Sequence, residues 1–374
     1  MQRSQEKLIL KDLHEKYVFL AGPRQVGKTT LARQLFSHKE THYLNYDLSE
    51  DRQLMKQGAW NREAQLVILD EFHKFPKWKT FLKGYYDKEG LPPPILVTGS
   101  AKLNVFRKGN DSMVGRYFYH RLLPFSVKEL SAQLSADEAL ENLLAYGNYP
   151  EPLLKASATA SKRWRDHHLN LILREDITDL SNVRMLHKIQ LLIDLLRQRV
   201  GQSVSYASLA QDLEVAPKTI KECIELLEQV FVIFRVTPYH HNIARSLLKE
   251  PKIYFFDCTM AFDADAHLEN LVAVSLLKHL LHQEDAEGIS GSLHYLRTKD
   301  GKEIDFALVE ERNISNVIEV KKTEDQPIPA FAHFAKFLPA TCRKIQTVEK
   351  LKQAKTVHGV QVKTAADFLK SLKV

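Results

Sequence analysis

The strongest indication of the fold is the run Gly22-Pro23-Arg24-Gln25-Val26-Gly27-Lys28-Thr29. It fits the pattern G-x-x-x-x-G-K-[ST] of a phosphate-binding loop at every fixed position. The apolar run at residues 17–21 before it predicts a buried strand, and residues 29–36 after it predict a helix. Such a loop turns backbone N–H groups and the positive end of a helix towards phosphate. The stretch therefore predicts a P-loop nucleotide-binding domain with an α/β fold.

Each type of residue in this loop has an expected part in binding Mg·ATP. The glycines let backbone N–H groups close around the polyphosphate, the lysine reaches the β and γ phosphates, and the threonine hydroxyl takes a coordination site on Mg²⁺. The residues expected to contact the nucleotide are Gly22, Pro23, Arg24, Gln25, Val26, Gly27, Lys28, Thr29 and Thr30.

Two further apolar runs end in polar residues that suit nucleotide hydrolysis. Residues 66–69 lead into Asp70 and Glu71. In P-loop enzymes an aspartate at such a strand end holds Mg²⁺, so we expect Asp70 to do so through water and Glu71 to orient and polarise the attacking water. Residues 95–98 lead into Gly99 and Ser100, whose hydroxyl could contact the γ-phosphate or that water.

The composition bounds the class of protein. A chain of 374 residues with 44% hydrophobic and 26% charged residues predicts two or three globular domains. No apolar run approaches the roughly 18 residues that span a bilayer, and the first residues lack the apolar core of a secretory signal, so we expect a cytoplasmic protein without membrane contact. The three cysteines have neither disulfide nor metal-ligand spacing. The net charge of +7 is mild and does not by itself indicate a nucleic-acid partner.

Three domains are expected along the chain. Residues 1–145 alternate apolar runs with helical stretches, which predicts a parallel α/β sheet and, with the phosphate loop, a P-loop ATPase domain. Residues 146–250 predict a helical linker and a winged helix-turn-helix. Residues 251–374 predict an α/β domain similar to restriction endonucleases, because a hairpin within it carries two carboxylates and a lysine.

The winged-helix prediction rests on two short amphipathic helices followed by a strand. Residues 205–213 and 218–227 have helical spacing, and residues 231–236 form an apolar run. In a DNA-binding role the second helix would expose Lys218, Thr219 and Lys221. The alternative is a helix pair that serves packing or contacts with a protein partner.

The second chemical hypothesis comes from a hairpin near the carboxyl terminus. Residues 304–309 and 316–321 predict two strands joined by a polar turn at 310–315. Centring this hairpin near Arg312 places Asp305 opposite Glu319, and cross-strand partners share one face of a sheet. Lys321 lies two residues beyond Glu319 and so projects from the same face.

Two carboxylates and a lysine in this arrangement are the D…E-x-K pattern of restriction-endonuclease-like nucleases. Asp305 and Glu319 could hold Mg²⁺ between them, and Lys321 could orient water or neutralise developing charge. Glu269, before a predicted helix, could supply a further acid. The alternative is a surface hairpin in which Lys321 forms salt bridges to acidic neighbours.

Short stretches spread over nearly the whole chain together resemble a known family. It comprises bacterial and archaeal AAA-type ATPases with a central winged helix and a C-terminal restriction-endonuclease-like domain. The stretches that carry the resemblance are residues 22–30, 69–74, 97–101, 115–116, 123–126, 149–151, 174–176, 297–306 and 318–321.

The resemblance implies ATP hydrolysis on the α/β domain, with Ser100 as a sensor of the γ-phosphate. It also implies that Arg116 senses the nucleotide or completes the site, either within its own chain or from a neighbouring subunit of an oligomer; Arg121 is a competing candidate. We therefore expect a Mg²⁺-dependent ATPase whose nucleotide cycle moves the C-terminal modules. Two alternatives stay open: an ATP-gated DNA nuclease, and a non-hydrolysing, nucleotide-switched scaffold that docks a protein or DNA partner.

Overall fold

In the computed structural model the chain divides into two compact units. The first consists of the residues before Pro124 together with 229–231, and the second of 124–228 and 232–374. The structure describes residues 3–37, 39–91, 93–99, 113–177, 183–240 and 250–374. The predicted domain ranges 1–145, 146–250 and 251–374 remain predictions.

A five-stranded parallel sheet forms the centre of the first unit. Its strands are β1 Tyr17–Ala21, β2 Thr41–Asn45, β3 Leu66–Asp70, β4 Ile95–Thr98 and β5 Tyr117–Arg121. They lie in the order β2-β3-β4-β1-β5, and every pairing is parallel. Every residue of β1, β3 and β4 is buried, as a parallel sheet covered on both faces requires. The predicted α/β fold with a P-loop NTPase-like parallel sheet is confirmed.

Helices and aromatic side chains cover this sheet. The helices are α1 Glu6–Leu13, α2 Lys28–Gln34, α3 Ser49–Gln57 and α4 Trp78–Glu89, with a 3₁₀ turn at Phe72–Lys74. On one face Phe19 stacks on Tyr117, with ring centroids 4.2 Å apart, and meets the edge of Trp78. From α1, Asp12 contacts the buried imidazole of His120 on β5, with 2.7 Å between Oδ2 and Nε2. These contacts fix the strands whose carboxyl ends carry the site.

The second unit begins with a helical region. Its helices are α5 Val127–Leu130, α6 Ala136–Tyr146, α7 Pro150–Lys155, α8 Ala158–Ile172, α9 Val183–Arg197, α10 Tyr206–Asp212 and α11 Pro217–Gln229, with a π-helical turn at Leu173–Ile177. Capping boxes begin α5 and α6. A buried lysine, Lys278, anchors the start of this region, because its ammonium donates to the carbonyl of Pro124 and pairs with the carboxylate of Glu129.

A mixed eight-stranded sheet forms the rest of the second unit. Its strands are β6 Ile233–Pro238, β7 Lys252–Phe255, β8 Gly291–Arg297, β9 Glu303–Glu310, β10 Asn313–Lys321, β11 Arg343–Val348, β12 Lys355–Val357 and β13 Val360–Thr364. Their order is β12-β13-β11-β10-β9-β8-β6-β7. The helices α12 Ala266–Glu287, α13 Ala330–Phe334 and α14 Ala365–Lys370 complete the unit. The predicted helical region and C-terminal α/β domain are thus both present.

Within the described residues, none of the helices has the length and apolar character needed to cross a membrane. Cys223, Cys258 and Cys342 are free and buried. The helix pair α10–α11 is followed by β6 and β7, which pair antiparallel.

Candidate nucleotide site and C-terminal carboxylate cluster

The predicted phosphate loop joins the buried end of β1 to the first turn of α2. Gln25 and Gly27 have positive φ values of 58° and 99°, which bend the loop into the helix. At Gly22 a Cβ atom would lie 2.1 Å from the carbonyl oxygen of Leu122. The loop therefore lies so close to the end of β5 that this position has no room for a side chain.

The ammonium group of Lys28 lies inside this loop. The side chain is buried, and Nζ donates hydrogen bonds to the carbonyl oxygens of Gly22 at 2.9 Å and Pro23 at 2.6 Å. A positive charge is thereby held where the loop's backbone N–H groups and the beginning of α2 converge, which is the arrangement that suits a bound polyphosphate.

The carboxylate of Asp70 accepts hydrogen bonds from four donor groups. Thr29 Oγ1 lies 2.9 Å and the Tyr43 hydroxyl 2.8 Å from Oδ2, while Thr98 Oγ1 and the backbone N–H of Glu71 donate to Oδ1. Because two flanking strands, α2 and the residue after β3 each supply a donor, the carboxylate is fixed in position. Sequence reasoning identified Thr29 and Asp70 but missed Tyr43 and Thr98.

Glu71 follows in a left-handed backbone conformation, with φ of 55°. Such a conformation is uncommon for a residue with a Cβ and points to a local requirement. Burial raises the pKa of its carboxyl group, and the charge of Asp70 raises it further, against the opposing effect of Lys74. The Lys74 ammonium lies 3.3 Å from Glu71 Oε2, and His73 Nε2 lies 3.7 Å from the same oxygen.

The structure brings Lys28, Thr29, Asp70 and Glu71 together at the carboxyl end of the parallel sheet. Arg116 lies elsewhere. It precedes β5, whose first residue pairs with Tyr17 at the amino end of β1, and its Nε lies 2.6 Å from Asp87 Oδ1.

The other predicted residues of this site divide into three groups. Arg121 is buried and pairs with Ala21, directly before the phosphate loop. Ser100 lies outside the described residues. The remaining predicted contacts lie in the loop or the first turn of α2, and they are Arg24, Val26 and Thr30.

The C-terminal hairpin places Asp305 next to Glu319. The backbone N–H of Asp305 donates to Glu319 Oε2 at 3.2 Å, and the N–H of Val320 donates to Asp305 Oδ2 at 3.0 Å. Lys321 Nζ lies 2.8 Å from Glu319 Oε1. The structure thus brings together the three predicted residues of the hairpin.

A bulge sets this register. The turn between β9 and β10 consists of two residues, Glu311 and Arg312, both with positive φ, as tight hairpins favour. Strand pairing then shifts by one residue between Ile314 and Asn316. Without that extra residue Asp305 would face Ile318, and the carboxylate of Glu319 would project from the other face.

Two more carboxylates lie beside this pair, and we refer to Glu269, Glu303, Asp305 and Glu319 as the carboxylate cluster. Glu269 Oε1 accepts a hydrogen bond of 2.6 Å from the hydroxyl of Tyr254. Burial, together with the charge of Asp305, raises the pKa of Glu269 to about 7 and that of Glu319 to about 8.

Lys252 lies within the carboxylate cluster, and sequence reasoning missed it. Its Nζ is 2.7 Å from Glu303 Oε1, 3.3 Å from Asp305 Oδ1 and 3.6 Å from Glu269 Oε1. Burial lowers the pKa of this lysine, but the three carboxylates outweigh burial and raise it. Glu303 could have been found from the sequence because it shares a strand face with Asp305, two residues on. Lys252 could not, because it comes from another strand far along the chain.

Comparison with family models covers most of the chain in three parts. Residues 14–131 match a model described as an AAA domain. Residues 137–267 and 264–368 match two models described as domains of unknown function, DUF8612 and DUF4143. The first part of the chain is therefore similar to AAA-type P-loop ATPase domains.

Similar proteins occur in bacteria and archaea. An uncharacterized protein of Mycobacterium tuberculosis is 26% identical over 322 residues, which are 83% of this chain and 71% of that protein. An uncharacterized protein of Methanocaldococcus jannaschii is 23% identical over 305 residues, 66% of this chain and 63% of that protein. Among solved structures, a variant of RuvB from Thermotoga maritima is 18% identical and covers 63% of this chain and 90% of its own, with a TM-score of 0.33.

Proposed function

We propose that this chain is a cytoplasmic, Mg²⁺-dependent ATPase that hydrolyses ATP at the phosphate loop. The observation that carries the proposal is the hydrogen bond of 2.9 Å between Thr29 Oγ1 and Asp70 Oδ2, next to the buried ammonium of Lys28. A hydroxyl and a carboxylate held together in this way are oxygen ligands of the kind that Mg²⁺ takes alongside phosphate.

Each of these residues has a proposed part in hydrolysis. Lys28 neutralises charge on the β and γ phosphates, and Thr29 and Asp70 would hold Mg²⁺, which supplies charge neutralisation on the phosphates when it is bound. Glu71 accepts a proton from the attacking water. Its raised pKa suits this step, because a stronger base accepts a proton more readily in the transition state.

Steady-state ATP turnover in Mg²⁺ tests the proposal. We expect Lys28→Ala to reduce turnover to background, because the phosphate charge loses its counter-ion. Lys88→Ala is the matched control, since Lys88 is an exposed lysine of the same unit, in the last turn of α4, and we expect it to retain native turnover. Native rates in Lys28→Ala would exclude hydrolysis at this site.

We further propose that the nucleotide cycle moves the modules of residues 146–250 and 251–374. The order of α10, α11, β6 and β7 supports a winged helix. On the exposed side of α11, Lys218 lies 3.9 Å from Glu222 and Lys221 lies 3.9 Å from Glu225. These charges offset one another on the helix that would read DNA, which favours a protein as the partner. Turnover stimulated by duplex DNA would contradict that preference.

The arginine that completes the site is proposed to be Arg116, acting on the nucleotide of a neighbouring subunit. Its position at the amino end of the sheet supports action between subunits rather than within one. Mixing Arg116→Ala with Lys28→Ala protein, each inactive alone, should then restore part of the turnover, because some interfaces combine an intact arginine with an intact loop. Arg121, beside the loop of its own chain, is the competing candidate, and mixing Arg121→Ala with Lys28→Ala should restore nothing.

The carboxylate cluster raises a second candidate, an ATP-gated DNA nuclease. The convergence of Asp305, Glu319, Lys321 and Glu269 supports it, and the ammonium of Lys252 among these carboxylates counts against it. Metal-dependent cleavage of DNA that is lost in Asp305→Ala would establish the nuclease.

A scaffold that binds ATP without hydrolysing it is the third candidate. It predicts tight ATP binding with turnover at background in the native chain. The carboxylate of Glu71 directly after the fixed Asp70 counts against it, because a scaffold has no need of a base there.

A further inference from the structure

The side chain of Lys252 is buried at the centre of the carboxylate cluster. It is only 3% exposed, and its Nζ contacts Glu303, Asp305 and Glu269 at 2.7, 3.3 and 3.6 Å. These three acids come from β9 and α12, whereas Lys252 begins β7. One ammonium group therefore links three separate elements of the second unit.

A divalent cation bound by these carboxylates would need the same space. Mg²⁺ requires carboxylate oxygens at about 2.0–2.1 Å and Ca²⁺ at about 2.3–2.6 Å from one point. The point that lies between the oxygens of Glu269, Glu303 and Asp305 is held by Nζ, at distances normal for an ammonium ion. The described part of the chain has no group of three or more acidic, histidine or cysteine side chains arranged to hold a metal ion.

We propose that Lys252 is a built-in counter-ion that replaces a divalent metal in the carboxylate cluster. The native cluster then binds no divalent cation and does not cut nucleic acid, although Asp305, Glu319 and Lys321 follow the D…E-x-K pattern. The ion pairs of Lys252 with three of the cluster's carboxylates hold β7 against β9 and α12. Removing the ammonium leaves at least two buried, ionised carboxylates without their cation and creates a divalent-cation site.

The inference does not depend on ATP hydrolysis, and its test is made without nucleotide. Binding of Mn²⁺ to the full chain would be measured by electron paramagnetic resonance and titration calorimetry. The variants are Lys252→Met, Asp305→Asn, the double variant, and Lys355→Met. Lys355 pairs with an exposed carboxylate elsewhere in the same unit and serves as the matched control. Subtracting the binding seen in Asp305→Asn removes any Mn²⁺ held at the phosphate loop.

We expect the native chain, Asp305→Asn and Lys355→Met to bind Mn²⁺ alike. Lys252→Met should gain one site per chain, with affinity about a hundredfold or more above any binding by the native cluster, and the double variant should lose it. Mn²⁺ should also raise the melting temperature of Lys252→Met and leave the native value unchanged. The native chain should show no DNA cleavage in Mn²⁺ beyond that of Asp305→Asn.

Two results would overturn the inference. One is a native Mn²⁺ site that disappears in Asp305→Asn, because the metal would then displace the ammonium. The other is a Lys252→Met protein with native circular dichroism and no new site. If Lys252→Met does not fold, recovery of its fold by Mn²⁺ supports the inference, while failure to recover contradicts it. Lys252→Arg, which keeps the charge, should behave as the native chain.

Discussion

Gly22→Ala tests whether the close approach of the phosphate loop to β5 shapes the nucleotide site. The added methyl group would lie 2.1 Å from the carbonyl oxygen and 3.1 Å from the carbonyl carbon of Leu122. The first distance is more than 1 Å shorter than non-bonded contacts between such atoms, which lie near 3.5 Å. Since the obstacle is backbone, it cannot be relieved by a side-chain rotation.

The expected loss of stability has two parts. Gly22 has φ of 152°, and holding alanine there costs about 1–2 kcal/mol. Crowding against a buried backbone adds about 1–3 kcal/mol. The phosphate loop and the end of β5 must separate at the point where the N–H of Leu122 donates to the carbonyl of Ala21 at 2.9 Å. A total of about 2–5 kcal/mol in a unit of this size lowers the melting temperature by roughly 6–20 °C.

Thermal unfolding followed by circular dichroism, together with ATP affinity, gives the readout. Gly115→Ala is the matched control, because Gly115 lies in the same unit with φ of 82° and nothing within 4 Å of an added Cβ. Gly115→Ala should lose only the stability that the positive φ costs an alanine, about 1–2 kcal/mol, and it should keep its affinity for ATP. If Gly22→Ala loses no more stability than Gly115→Ala and binds ATP equally well, the close approach of the loop to β5 does not shape the nucleotide site.

Three further predictions concern single contacts. The charge of Lys74 lowers the pKa of Glu71, so the pKa of Glu71 should rise in Lys74→Ala. The acid limb of the pH–kcat profile should then move to higher pH, and a shift to lower pH would contradict this. Tyr43→Phe removes one hydrogen bond to the strand-end aspartate and should lower kcat about tenfold, with native stability nearly kept, whereas an unchanged kcat would show that this bond does not position the carboxylate. Lys278→Met leaves the fully buried carboxylate of Glu129 without its cation and should reduce the free energy of unfolding by about 3–5 kcal/mol in urea titrations; adding Glu129→Gln should recover part of the loss.

The parallel sheet could be predicted from the sequence because three of its strands are continuous apolar runs. The runs at residues 17–21, 66–69 and 95–98 lie at Tyr17–Ala21, Leu66–Asp70 and Ile95–Thr98. The phosphate loop identified β1 as a strand that leads into the site, and the acids after β3 could be placed at the same edge, since the carboxyl ends of parallel strands meet there.

The hairpin of β9 and β10 could be predicted only in part. Centring it near Arg312 correctly placed Asp305 beside Glu319, although the turn is shorter than the predicted 310–315. A two-residue turn and a one-residue bulge together give the same register as the longer turn. The bulge depends on how β10 packs, and alternation along one strand does not reveal it.

Contacts between distant segments could not be predicted. Tyr43 and Thr98 contact Asp70 because β2 and β4 flank β3 in the sheet, and strand order is not visible in any one apolar run. Lys252 is the clearest case, since a lone lysine before an apolar strand gives no sign that three acids from other elements surround it. Its position changes what the C-terminal acids are expected to do.

Hydrolysis at the phosphate loop is best tested by comparing ATP binding with ATP hydrolysis in Glu71→Gln. Glutamine keeps the shape of the side chain but cannot accept a proton from water. We predict that this variant binds ATP as tightly as the native chain and that its single-turnover hydrolysis falls by about a hundredfold or more. Undiminished hydrolysis in Glu71→Gln would contradict the assignment of Glu71 as the base.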